Sequence, residues 1–176
     1  MSILKVARMG HPVLRAKARA LDKRDIRDAK IQMLIDDMIE TMREYHGVGL
    51  AAPQVHTGLR LFVASLDAGE DDAEPEPIAI INPEITPVGP DVVEDWEGCL
   101  SIPDVRGRVP RAREIKVRAY DRKGERIELR AHDFPARVIQ HETDHLDGVL
   151  FFDRMKTFES LTFLEEYSRY WTKDED

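Results

Sequence analysis

The sequence is short of several things, and each scarcity removes a class of protein. Among 176 residues there is one cysteine. A single thiol makes no intrachain disulfide, so a disulfide-stapled module is excluded, as is a four-cysteine structural zinc site. Basic residues are in deficit, 26 Lys+Arg against 34 Asp+Glu for a formal charge of −8. That balance argues against a DNA-binding protein, which needs a positive stripe to displace phosphate counterions. Long apolar runs are missing too. Between Met1 and Pro12 no more than two apolar residues stand together, so neither a secretory leader nor a membrane span is expected, and the cytoplasm is the default compartment. There is no internal repeat and no domain-scale linker. The length suits a single domain over residues 1–176, able to bury about 70% of its unfolded surface.

What is present reads as α+β: antiparallel strands around a central helix, with an N-terminal and a C-terminal helix. From Asp25 to Tyr45, apolar residues recur at helical spacing (Ile26, Ala29, Met33, Ile35, Met38, Ile39, Met42), with Asp22 or Asp25 as cap and Gly47 as stop. Leu59–Leu66 and Ile78–Ile85 read as strands. Ile115–Tyr120 and Arg126–Arg130 flank Asp121-Arg122-Lys123-Gly124 as a hairpin. A second helix is predicted from about Pro135 to Asp147, stopped by Gly148, and a third from about Phe158 to Trp171 with Leu161, Leu164, Tyr167 and Trp171 on one side. Asp67 to Pro77, crowded with acids and two prolines, reads as a solvated loop.

The strongest chemical signal is His141-Glu142-Thr143-Asp144-His145 inside the second helix. Imidazoles four residues apart share a helix face and reach one ion, and the intervening glutamate can act as a base on metal-bound water. A catalytic site needs a third protein ligand. The extension HExxHxxGxxH fails, because Phe151 stands where its last histidine belongs. Glu165, twenty residues beyond His145, would give a general metallopeptidase. Cys99, in Glu97-Gly98-Cys99-Leu100-Ser101, would give a two-nitrogen, one-sulfur set suited to zinc or iron(II). Residue types alone leave the two open. Asp144 is either a surface carboxylate or a group fixing a ligand through Arg111 or Arg106. His11, His46, His56 and His132 read as turn or surface residues.

A third block, Gly47-Val48-Gly49-Leu50-Ala51-Ala52-Pro53-Gln54, follows the first helix. Its glycines suit close backbone approach, not nucleotide binding, since no strand precedes them. Together with Glu97–Ser101 and Gln140–Leu146 it resembles the peptide deformylase family, whose three motifs occur in this order. Gly10–Arg15, Pro103–Arg111 and Gly148–Asp153 add to the resemblance, which spans about residues 3 to 155.

The resemblance implies an enzyme that removes the formyl group from the N-terminal formylmethionine of new polypeptides. It implies one divalent metal on Cys99, His141 and His145, with Fe(2+) expected and Zn, Ni or Co as alternatives. Glu142 becomes the general base and acid, and Gln54 with the Leu100 N–H the oxyanion donors. Backbone around Gly47, Gly49 and Gly98 would meet the peptide. Val48, Glu97, Val138 and the stem of Arg137 would surround the methionine, Phe134 is added by its proximity to them in the sequence, and Arg106 would stand at the mouth. A non-catalytic relative that binds N-termini is disfavoured by the intact base and oxyanion donors. Some family members dock a basic C-terminal helix on ribosomal RNA. Here residues 153–176 carry seven acidic against four basic side chains, so ribosome contact is expected to be weak or different.

Overall fold

A computed structural model describes residues 2–66 and 76–172. The fold is α+β with antiparallel sheets and three helices. The acidic loop expected at Asp67–Pro77 lies outside the described residues save for its last two. A five-stranded sheet runs β1 (Gly49–Ala51), β2 (Leu61–Ala64), β3 (Ile78–Pro87), β6 (Glu114–Tyr120), β7 (Arg126–His132), with every neighbouring pair antiparallel. A second sheet has β4 (Val92–Cys99), β5 (Ile102–Ala112) and β8 (Thr162–Phe163).

The period-two alternation of β2 divides the core. Leu61 and Val63 join Ile35, Met38 and Met42 of α1 (Ala29–Glu44) on one face. Phe62 and Ala64 join Ile80, Val117, Ala136 and Ile139, placing α2 (Asp133–Leu146) on the other. All four residues of β2 are fully buried, as expected of a strand covered on both faces. A third cluster of Leu14, Cys99, Ile102, Val109, Leu150 and Phe151 closes the second sheet.

The first and third helices are shorter than predicted, while α2 begins two residues earlier and ends one residue earlier than expected. Asp28, not Asp22 or Asp25, caps α1 by accepting from the Lys30 N–H at 2.8 Å; Asp22 caps a separate turn at Lys23–Asp25. Met33, expected on the apolar stripe, is 63% exposed. The helix stops at His46, which takes the left-handed conformation (φ 53°) while its N–H and that of Gly47 bond the Arg43 and Met42 carbonyls. Gly47 serves another purpose: a Cβ there would sit 2.9 Å from Leu100 Cδ1. Gly148 does stop α2 as predicted, at φ 73° with its N–H on the His145 carbonyl. The third helix, α3, covers only Leu164–Tyr170, because Thr162 and Phe163 pair with Arg106 and Val105. β1, β4 and β5 had no alternating signal. β5 carries Pro103, Gly107 and Pro110, and β4 sets Glu94, Asp95 and Glu97 among its apolar residues without regular alternation.

Candidate metal centre

Two helical residues and one strand residue converge. Cys99 ends β4, while His141 and His145 stand one turn apart on α2. Cys99 Sγ lies 3.3 Å from His145 Nε2, and the two Nε2 atoms are 3.2 Å apart. Tetrahedral coordination at ordinary metal–ligand lengths requires N···N edges of about 3.4 Å and S···N edges of about 3.6 Å, so these two edges match one ion within a few tenths of an ångström, and all three donor atoms lie within 4.8 Å of one another. Burial by itself pushes the Cys99 thiol up, but His145 and His141 beside it outweigh that and hold it well below the usual thiol range. A ready thiolate with two imidazoles fits a borderline divalent cation. Glu165, the alternative third ligand, is exposed on α3 and ion-paired with Arg169.

His141 is oriented from behind. Its Nδ1 lies 2.9 Å from Glu97 Oε2. That carboxylate also accepts from Arg111 Nε (2.9 Å) and Nη2 (3.0 Å) and from Arg137 Nη1 (2.8 Å). Burial raises the Glu97 carboxyl, yet the bonds from His141 and Arg111 prevail and hold it far below the carboxylate range. Arg111 also reaches Asp144, which Arg154 clasps through Nε and Nη2. Of the two arginines considered for Asp144, Arg111 is the partner; among the described residues the Arg106 side chain bonds only its neighbour's carbonyl. Glu97 and Arg137, expected around the methionine, also take part in this network. Both line the cavity, but their charged ends face each other, and Arg137 also donates to the Val109 and Val93 carbonyls. A polar network of this kind persists because every charge in it has a partner.

Glu142 packs over Gly49, where a Cβ would lie 2.7 Å from its carboxyl carbon. One of its oxygens has no hydrogen-bond partner among the described residues, and burial raises its pKa. Gln54 is held at both ends of its amide: Oε1 accepts from the Ala51 N–H at 2.8 Å, and Nε2 donates to Ser101 Oγ at 3.2 Å and toward Cys99 Sγ at 3.5 Å. Cys99, His141, Glu142, Gln54, Glu97 and Arg137 face one cavity of about 730 Å³. Gly47, Val48, Gly49, Gly98, Leu100, Arg106, Phe134 and Val138 line it as well. Sequence reasoning missed Ser101, Leu164 and His46, which also border or brace this space, as does Trp96 at the rim beside Glu97. For Ser101 its place in the Glu97–Ser101 block was the available signal; the others carried none.

A model of the polypeptide deformylase family matches residues 3–160. Peptide deformylase 2 of a Nostoc species is 44% identical over 175 residues, covering 98% of this chain and 97% of its own. The peptide deformylase of Dictyoglomus turgidum is 44% identical over 93% of this chain and 99% of its own. Among solved structures, peptide deformylase from Thermotoga maritima superposes with a TM-score of 0.81 at 40% identity, covering 89% of this chain and all of that one. A Met-Ala-Ser-bound class I type b peptide deformylase from Acinetobacter baumannii gives 0.81 at 38% identity, covering 88% of this chain and all of that one.

Proposed function

Because the chain belongs to the polypeptide deformylase family and removes the formyl group from N-terminal methionine, we propose that the reaction takes place in the cavity over α2, within a single catalytic domain spanning the chain. The observation carrying this reading is the convergence of Cys99 Sγ with the two imidazole Nε2 atoms. α2 is then the central helix, in keeping with its packing against β1, β2, β5, β6 and β7.

The family is metal-dependent, and Cys99, His141 and His145 would hold the ion, Fe(2+) by family expectation, with Zn, Ni or Co able to replace it. Such an ion supplies Lewis acidity and a water of lowered pKa. Glu142, desolvated and with one oxygen unpartnered, takes the proton from the attacking water and later passes it to the departing amine. The formyl carbon gains the hydroxyl, its C–N bond breaks, and formate and a free N-terminus leave. Negative charge on the formyl oxygen is met by Gln54 Nε2 and the Leu100 N–H, donors fixed before substrate arrives. β1 is an edge strand, so its free side around Gly49 can pair with an extended peptide, while Val48, Phe134 and Val138 offer apolar surface to the methionine. The Met-Ala-Ser-bound relative supports a peptide occupant. The ribosome would be met weakly or differently, and the chain would work in the cytoplasm. Among the described residues no helix is long and apolar enough to cross a membrane.

The test is anaerobic formate release from a formyl-Met peptide by iron, nickel and zinc forms. Glu142→Ala should keep its metal and lose about 10²–10⁴ in rate, Cys99→Ala should lose both, and Glu165→Ala neither. Undiminished turnover in Glu142→Ala would remove the mechanism.

A further inference from the structure

A chain of charges runs from the surface to His141. It starts at Arg154, in the single turn Phe151–Arg154 that follows α2. Arg154 donates from Nη2 to Asp144 Oδ1 at 2.8 Å and from Nε to Oδ2 at 3.1 Å. Asp144 Oδ2 also accepts from Arg111 Nη1 at 2.5 Å. The other two nitrogens of Arg111 take both oxygens of Glu97, and Glu97 Oε2 meets His141 Nδ1. A guanidinium is a rigid plane, so the place of Asp144 sets the tilt at which Arg111 grips Glu97. Arg111, Glu97 and Asp144 are buried, whereas the Arg154 side chain is 51% exposed. Arg154 is nonetheless held. Its neighbour Asp153 accepts from the Leu150 N–H at 2.8 Å and pairs with Arg15, which also donates to the Gly148 carbonyl. Without Arg154, Asp144 Oδ1 would have no side-chain or backbone donor among the described residues, and the pull of the carboxylate would fall on Arg111 alone.

We propose that Arg154 is a positioning residue for the metal centre, acting through Asp144, Arg111 and Glu97 to hold the His141 imidazole in its ligating orientation; the role rests on the metal-site reading above. The reason is steric as much as electrostatic. The ring offers Nε2 toward Cys99 and His145 only while Nδ1 faces Glu97, and a partner behind a ligating imidazole fixes both its tautomer and its rotation. A half-exposed ion pair that ended on an ordinary surface carboxylate would contribute little and leave the ligands alone. This pair ends on a buried carboxylate whose other partner grips the group behind a ligand.

The test binds cobalt(II) anaerobically to the full chain, at a temperature where every variant is folded. Competition with a chelator gives affinity, and the visible bands of the bound ion, with its thiolate charge-transfer band, report ligand geometry. Arg154→Gln should bind cobalt about fivefold more weakly, less than the loss expected for a group that touches a ligand, and its visible bands should shift. Arg154→Lys, which restores the charge, should regain most of that affinity. Asp144→Asn should lose at least as much as Arg154→Gln, and combining the two should cost nothing more, because the effect travels through Asp144. Affinity and bands unchanged in Arg154→Gln, even with a lowered melting temperature, overturn the positioning role and leave the metal centre standing. A loss from Arg154→Gln that persists undiminished on top of Asp144→Asn does the same. A natural protein that takes up no cobalt overturns both.

Discussion

Glu97→Gln is the sharpest single perturbation of this site. Glu97 accepts four hydrogen bonds: Arg111 Nε and Arg137 Nη1 meet one oxygen, Arg111 Nη2 and His141 Nδ1 the other. An amide has one oxygen and one NH₂, so either orientation turns two donors onto a donor. The side chain is 5% exposed, and water cannot relieve the conflict. Losing one member of a buried ionic group costs about 3–5 kcal/mol, a large share of the roughly 5–15 kcal/mol that holds a domain folded. Releasing His141 from its orienting partner should also weaken metal binding about 10–100-fold. Urea unfolding of the metal-free protein measures the first effect, and competition with a chelator the second. Acid adds an independent check. The folded state holds the Glu97 carboxyl far below its ordinary value, so unfolding takes up a proton once the pH drops below about 4.5. The stabilisation is complete above that pH and fades below it, so the gap between natural protein and variant should narrow in acid. A variant within about 1 kcal/mol of the natural protein at pH 7, with undiminished metal affinity, would refute the orienting role.

Gly49→Ala should lose most of its turnover, because the new Cβ falls on the Glu142 carboxyl group; kcat should drop with metal content unchanged. Gln54→Ala should cost about 10²–10³ in kcat, read from formate release at saturating substrate. Gly148→Ala should lower stability without touching the site, since its φ is 73° and a Cβ would lie 2.6 Å from the Arg15 carbonyl oxygen; about 1–3 kcal/mol of lost unfolding free energy is expected. Binding to ribosomes, measured by co-sedimentation over a salt series, should lack the steep salt dependence that a basic helix on RNA would give.

Local signals were legible where chemistry is local. Two histidines at helical spacing on α2, the hairpin around Gly124 and the left-handed stop at Gly148 depend on residues within a few positions of one another. α1 was legible for the same reason, though its end was misread: the left-handed turn falls on His46, and Gly47 is needed for the approach of Leu100. The third helix was overextended because the pairing of Thr162 and Phe163 with β5 is long-range. Strands β4 and β5 were invisible because they are half-exposed, β5 is interrupted by Pro103 and Pro110, and the two owe their conformation to each other.

By itself, the sequence determined that one thiol was free for chemistry and that two imidazoles would share a helix face. It also carried three motif blocks whose order marks the family. Tertiary structure decided which of two candidates lies beside those imidazoles, bringing Cys99 to 3.3 Å from His145 and leaving Glu165 in solvent. It also made Glu97, which lines the pocket, the group that orients His141, and it brought α3 onto the cleft through Trp96. These outcomes share a physical cause. A ligand set or a buried ion network is fixed by distances between elements far apart in the chain, and those distances exist only once the sheets and α2 have packed.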